Sequence, residues 1–211
     1  FTDRALAHVR RAHGVAAPFA QEAPVYAIAE FDCLGEADEE RALACFQQAL
    51  DDGLVYDGVI SQNERQAREL WRYREGISEA IAEFTPYKND LAVTVARVPE
   101  YLAGLEDLLG RECPAFEVIW YGHIGDGNLH LNILKPDALE TAAFEAHCRE
   151  LSAPIYELTA KLGGSVSAEH GIGLLKRSAL GFSRSVAEIE MMRGIKRTFD
   201  PAGIFNPGKL I

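Results

Sequence analysis

No long hydrophobic run exists in this 211-residue chain, so no membrane-spanning helix is expected, since one needs ~20 consecutive apolar residues. Basic residues are in deficit: 21 Lys and Arg stand against 32 Asp and Glu, for a net charge of −11. That balance excludes nucleic acid and anionic membrane surfaces as natural partners, because both require a basic face. It leaves room for a small anionic substrate, which a few local cations can hold. No CxxC occurs among the four scattered cysteines, Cys33, Cys45, Cys113 and Cys148. They read as reduced thiols, small buried or half-buried groups in a reducing, cytoplasmic compartment. No secretory leader pattern, P-loop, GxGxxG strand–helix motif or HExxH is present, and no segment is of low complexity.

What is present is an alternation of two periods. VYAIAEF (25–31) and LVYDGVI (54–60) alternate like strands. EADEERALACFQQAL (36–50) between them has helical spacing, with Ala42, Leu43, Phe46 and Leu50 on one face. NERQARELWRYREGISEAIAEF (63–84) predicts one long helix, ended by Thr85-Pro86. Strands follow over 91–98, 117–124 and 128–134, and Pro99 fits the first turn of a short helix to Leu109. A helix over 138–162 is expected to kink near Pro154. GGSVSAEHGIG (163–173) reads as a strand entering a bend, and a last helix covers 185–199. The order predicts an α+β fold: an antiparallel or mixed β-sheet with helices mainly on one face, arranged as two ferredoxin-like halves.

YGHIGDGNLHLNIL (121–134) places two of the six histidines on either side of a glycine-rich turn. With Asp126-Gly127 as a two-residue turn, His123 pairs with His130 and Tyr121 with Asn132. Directly opposed residues share a face with Cβ atoms roughly 4.5–5.5 Å apart, close enough for two imidazoles to meet one metal ion. Val118, Trp120, Ile124, Leu129, Leu131 and Ile133 then form an apolar opposite face. Two histidines alone do not define a metal site, so a third ligand is required. SAEHGIG (167–173) offers Glu169 and His170, adjacent in sequence and directed to opposite sides, so that one ligates while the other faces elsewhere. Zn²⁺, Mn²⁺ and Fe²⁺ are all compatible with two imidazoles and a carboxylate. Arg74 and Ser78 share a helix face and Lys88 follows, a guanidinium and an ammonium suited to a dicarboxylate or a 2-hydroxy acid.

Several stretches taken together resemble one family: WRYREGISEA (71–80), YKNDLAVTVARVPEYL (87–102), the histidine hairpin, GGSVSAEHGIGLLKR (163–177) and FDPAGIFNPGKLI (199–211). They look like the C-terminal, substrate-side domain of FAD-linked oxidases in the vanillyl-alcohol oxidase superfamily. The nearest branch is the one that oxidises D-2-hydroxyglutarate, with D-lactate and glycolate relatives. The resemblance covers residues 1–211 as one cap domain, with a helix and tail over 184–211 that approach the flavin. It implies that His123, His130 and Glu169 ligate a divalent metal and that His170 is the general base. It further implies that Asn132, Arg74 and Lys88 bind substrate, and that Asn206 and Lys209 lie near FAD. Ser78 stands where that branch commonly has Thr, which keeps a hydroxyl. The implied partners are a small 2-hydroxy acid, a flavin-binding N-terminal domain missing from these residues, and an electron acceptor of unknown kind. A homodimer is compatible with the sequence. The start at Phe1 rather than Met agrees with a piece of a longer protein, inactive alone. Two other classes use the same ligands: a metallohydrolase, which the absence of HExxH disfavours, and a non-catalytic metal or hydroxyacid sensor.

Overall fold

The computed structural model describes residues 1–211 as two compact units, 1–83 and 84–211. The first unit is helical. Helix α1 (Asp3–His13) starts where the Thr2 hydroxyl accepts the Ala5 N–H and ends at Gly14, whose φ of 63° closes the last turn. It buries Ala5, Leu6 and Val9 and packs on α4 (Ile77–Ala80), which buries Ile77 and Ala80. No expected element covers this helix, although the Thr2 cap, the terminal glycine and the apolar spacing all mark it in the sequence.

Helix α2 (Glu36–Asp51) forms as expected, but its apolar face is not enclosed: Leu43 is exposed and no residue of the helix is fully buried. The long helix expected over 63–84 is broken into α3 (Glu64–Glu75), α4 and a 3-10 turn at Ala82–Phe84. The break falls at Gly76, where a Cβ would lie 2.8 Å from the Arg72 carbonyl and 3.1 Å from the His13 ring. The expected strands 25–31 and 54–60 are corrected as well. Only an isolated bridge, Thr2 with Val25, forms there, and Phe31, Leu54, Tyr56 and Val59 are exposed. Alternation supplies two faces, but a strand also needs a neighbour with free N–H and C=O groups, and the first unit provides none.

The sheet lies in the second unit, with β1 (Tyr87–Ala92), β2 (Val118–His123) and β3 (Asn128–Ile133) all antiparallel in the order β1-β3-β2. Strand β1 begins earlier than the expected 91–98, because Val95–Arg97 is a 3-10 turn leading into α5 (Val98–Glu112) with Pro99 in its first turn. Helix α6 (Thr141–Lys161) passes through Pro154 as one helix. Leu91, Leu129, Leu131 and Ile133 from the sheet pack with Tyr101 and Leu105 of α5 and Phe144 and Ile155 of α6. The Tyr101 hydroxyl meets Thr159 Oγ1 at 2.5 Å inside this core, tying α5 to α6. A short helix α7 (Leu180–Ser183) precedes α8 (Val186–Phe199), which opens on a capping box of Ser185 and Glu188. No helix is long and apolar enough to cross a membrane.

The cysteines divide in two: Cys113 and Cys148 are buried, whereas Cys33 and Cys45 are exposed, against the expectation that all four are at least half-buried. Burial pushes the Cys148 thiol up to about 12 and raises Cys113 in the same direction. A thiol-specific reagent at pH 8 is therefore expected to modify Cys33 and Cys45 promptly and to reach Cys113 and Cys148 only after denaturation. Prompt modification of all four in the native protein would contradict this core.

Candidate metal centre

The register of the β2–β3 hairpin differs from the expected one by two residues. Tyr121 pairs with His130, and His123 pairs with Asn128. Asp126-Gly127 is not a two-residue turn; residues 124–127 form a longer loop. The Asp126 carboxylate accepts the Asn128 N–H at 3.0 Å, and the Asp126 N–H returns to the His123 carbonyl at 3.3 Å. Gly127, with φ of 77°, accepts the Val93 N–H on its carbonyl and leaves no space for a side chain: a Cβ would lie 1.9 Å from the Val93 carbonyl. Gly122 is equally required, because its Cβ would meet the Asn128 carbonyl at 2.2 Å. A shift of two keeps the side chains of the paired residues 118–123 and 128–133 on their expected faces, and so His123 and His130 become diagonal neighbours with ring centroids 5.5 Å apart. Ile124 leaves the apolar face and is exposed in the loop.

The third group arrives from 165–170. This segment is not a strand beyond a single bridge, in which Ala92 and Ser165 exchange both backbone hydrogen bonds at 2.9 and 2.8 Å. It nevertheless carries Glu169 to the hairpin. Glu169 Oε1 lies 2.9 Å from His123 Nδ1, and Oε2 lies 3.9 Å from His130 Nε2. One ligand atom from each of His123, His130 and Glu169 falls within 4.8 Å of the others. Tyr121 stacks on the His130 ring at 4.8 Å and fixes its plane. The His170 ring sits 5.9 Å from that of His130 and is largely exposed.

Asp90 on β1 was not singled out from sequence, although it stands in the quoted YKND. Its side chain is 1% exposed. Oδ2 accepts the consecutive backbone N–H groups of Glu169 and His170 at 2.8 and 2.9 Å, and Oδ1 accepts the Asn128 amide at 2.8 Å. Burial alone would raise this carboxyl. The His170 N–H, the Asn128 amide and the Glu169 N–H outweigh it, aided by the His170 ring, and hold it below its ordinary value. Lys176 Nζ donates to the Val166 carbonyl at 2.7 Å and to the Asp90 carbonyl at 3.5 Å; burial lowers its ammonium pKa, with Asp90 opposing.

Among the other expected site residues, Lys88 and Asn132 are cross-strand partners on the face that also carries Asp90 and His130. Asn132 is buried, and its amide donates to the His130 carbonyl at 3.3 Å. Arg74 and Ser78 belong to the first unit, where the break at Gly76 puts them on different helices, α3 and α4. Asn206 and Lys209 are exposed in a tail folded back on α8. There the Asp200 carboxylate accepts the Ile204 and Phe205 N–H groups and pairs with Lys196.

Residues 1–210 match the family described as FAD linked oxidases, C-terminal domain. The chain belongs to that family. Among relatives of this C-terminal domain, a D-2-hydroxyglutarate dehydrogenase of Stutzerimonas stutzeri (strain A1501) is 50% identical over 210 residues, covering 100% of this chain and 45% of the relative. One from Xanthomonas citri pv. viticola is 52% identical over 210 residues, covering 100% of this chain and 44% of its own length. The mitochondrial D-2-hydroxyglutarate dehydrogenase of Bos taurus is 39% identical over 214 residues, at 100% and 38% coverage. The chain thus spans less than half the length of these curated relatives.

Gly127 offers a direct check on the FAD-linked oxidase hairpin. Gly127→Ala combines a left-handed φ with a backbone clash and is expected to destabilise the protein by at least ~2 kcal/mol, read as a lower denaturant midpoint. A midpoint equal to that of the parent would show that the loop does not pack on Val93.

Proposed function

We propose that this chain is the substrate- and metal-binding part of a flavin-dependent D-2-hydroxyacid dehydrogenase, acting on D-2-hydroxyglutarate or a similar dicarboxylate. The observation that carries the reading is the convergence of His123, His130 and Glu169, whose donor atoms lie within 4.8 Å of one another with His170 alongside. Two imidazoles and one carboxylate fit a divalent ion and leave positions for a bidentate hydroxyacid. Asn128 adds an orphan: its buried side-chain oxygen has no hydrogen-bond partner beside these ligands. When bound, Zn²⁺ (with Mn²⁺ or Fe²⁺ as alternatives) supplies Lewis acidity toward the hydroxyl and carboxylate, and FAD supplies the hydride acceptor.

The residues divide the remaining work. His170 accepts the hydroxyl proton as the carbon-bound hydrogen leaves, a task suited to an exposed imidazole hydrogen-bonded through its backbone. Lys88, on the same sheet face, attracts the distal carboxylate of a dicarboxylate. Arg74 binds the C1 carboxylate region, Ser78 and Asn132 contact substrate, and Asn206 and Lys209 lie near the flavin. The rest of the full-length protein holds FAD. Free Cys33 and Cys45 agree with a reducing compartment such as the cytoplasm.

Two substitutions in the full-length protein test this reading. His123→Ala should remove most of the bound metal, measured by elemental analysis, and lower kcat at least about 100-fold; parental metal content would end the ligand assignment. Lys88→Ala should raise KM for D-2-hydroxyglutarate by about 10–100-fold, as expected for losing a charged contact, while leaving D-lactate turnover unchanged. Equal effects on both substrates would remove the dicarboxylate assignment.

A further inference from the structure

We propose that Asp90 is the positioning residue that couples the metal ligands to the base, an inference that rests on the reading of His123, His130 and Glu169 as ligands and His170 as base. Asp90 cannot itself meet substrate, because its side chain is 1% exposed. Both of its oxygens are committed inward. Oδ2 holds the N–H groups of Glu169 and His170, so the peptide joining ligand to base is anchored at both of its residues. The two side chains then leave one fixed point in different directions, Glu169 to His123 and His130, and His170 outward. The neighbouring tie-downs, the Ala168 N–H on the Asp90 carbonyl and the Ser167 hydroxyl on the Gly171 carbonyl, hold the flanks of the segment, and the Asp90 carboxylate holds the Glu169 and His170 N–H groups themselves.

The same carboxylate faces both rings. Oδ1 is 3.9 Å from His130 Nδ1, and Oδ2 is 3.8 Å from His170 Nδ1. Both separations lie beyond hydrogen-bonding reach, so Asp90 acts on the two rings as a fixed nearby negative charge. Ligand placement and base placement therefore share one anion. The Asn128 amide on Oδ1 and Lys176 on the Asp90 carbonyl hold that anion in place. A neutral amide of equal size cannot do this, since one of its two ends would present N–H groups to donors.

The test uses the full-length protein and Asp90→Asn. Competition with a chromogenic chelator should show Zn²⁺ dissociation constants raised by about 10–100-fold, the usual effect of losing a partner behind a ligand. The visible spectrum of the Co²⁺-loaded variant should change, and kcat at saturating Zn²⁺ should fall at least about 10-fold at a temperature well below the variant's own unfolding midpoint, which is expected to be lowered by the loss of the buried carboxylate. Parental Zn²⁺ affinity together with parental kcat would overturn the proposal. If His123→Ala is metal-free in the same series, that result removes only the Asp90 role; if His123→Ala retains its metal, the ligand reading itself fails. Should Asp90→Asn not fold, hydrogen exchange on the unmodified protein decides. Slow amides at Glu169 and His170 within a fast 167–173 peptide support the clasp, and both exchanging at the unprotected rate overturns it.

Discussion

Two consecutive peptide N–H groups, those of Glu169 and His170, rest on the buried Asp90 carboxylate and fix the geometry of the candidate site. Residues 163–173 form no helix and no strand beyond a single bridge, so nothing in their own backbone pattern gives them a defined position. The definition comes from outside the segment. Asp90 takes the N–H groups of Glu169 and His170, Ala92 pairs with Ser165, and Lys176 crosses beneath to the Val166 carbonyl. Hydrogen bonds to a charged acceptor contribute roughly 1.5–3 kcal/mol each, enough to order a short loop against its conformational entropy. Strand β1 is thus a structural strand on one face and the mooring of the candidate metal site on the other.

The hairpin shows how packing and chemistry share one element. Every residue of β3 is buried, with Leu129, Leu131 and Ile133 in the core and Asn128, His130 and Asn132 on the opposite face. Two glycines make this possible. Gly122 lets β2 approach the Asn128 carbonyl, and Gly127 lets the loop lie on Val93. Those contacts, not the Asp-Gly dipeptide, choose the register, because Asp126 is occupied with the Asn128 N–H. The displacement of two residues preserves the parity of the pleat, which is why the histidine face survives an error in pairing.

Legibility differed sharply between the two units. In the second, expected strands and helices over 117–134, 141–161 and 186–199 formed with small changes of boundary, because each has a clear apolar face and a partner to receive it. In the first, α2 and α3 were legible from helical spacing, whose hydrogen bonds are internal to the segment. The strand-like stretches 25–31 and 54–60 were not reliable, since a strand's hydrogen bonds belong half to its neighbour. The convergence of His123, His130, Glu169 and His170 was legible because histidines are few here and sit in glycine-rich surroundings. Asp90 was not, because an aspartate in a strand of ordinary composition carries no signal of what it will hold.

The sequence by itself determined the α+β class, the residue faces of the hairpin and the side chains able to ligate a cation, all of which follow from short periodicities and side-chain chemistry. Only the tertiary structure decided the hairpin register, the break at Gly76, the failure of two strand-like stretches to pair, and the place of Asp90 under the Glu169 and His170 N–H groups. Each of these turns on which distant groups come within hydrogen-bonding or van der Waals distance, and local spacing holds no information about that.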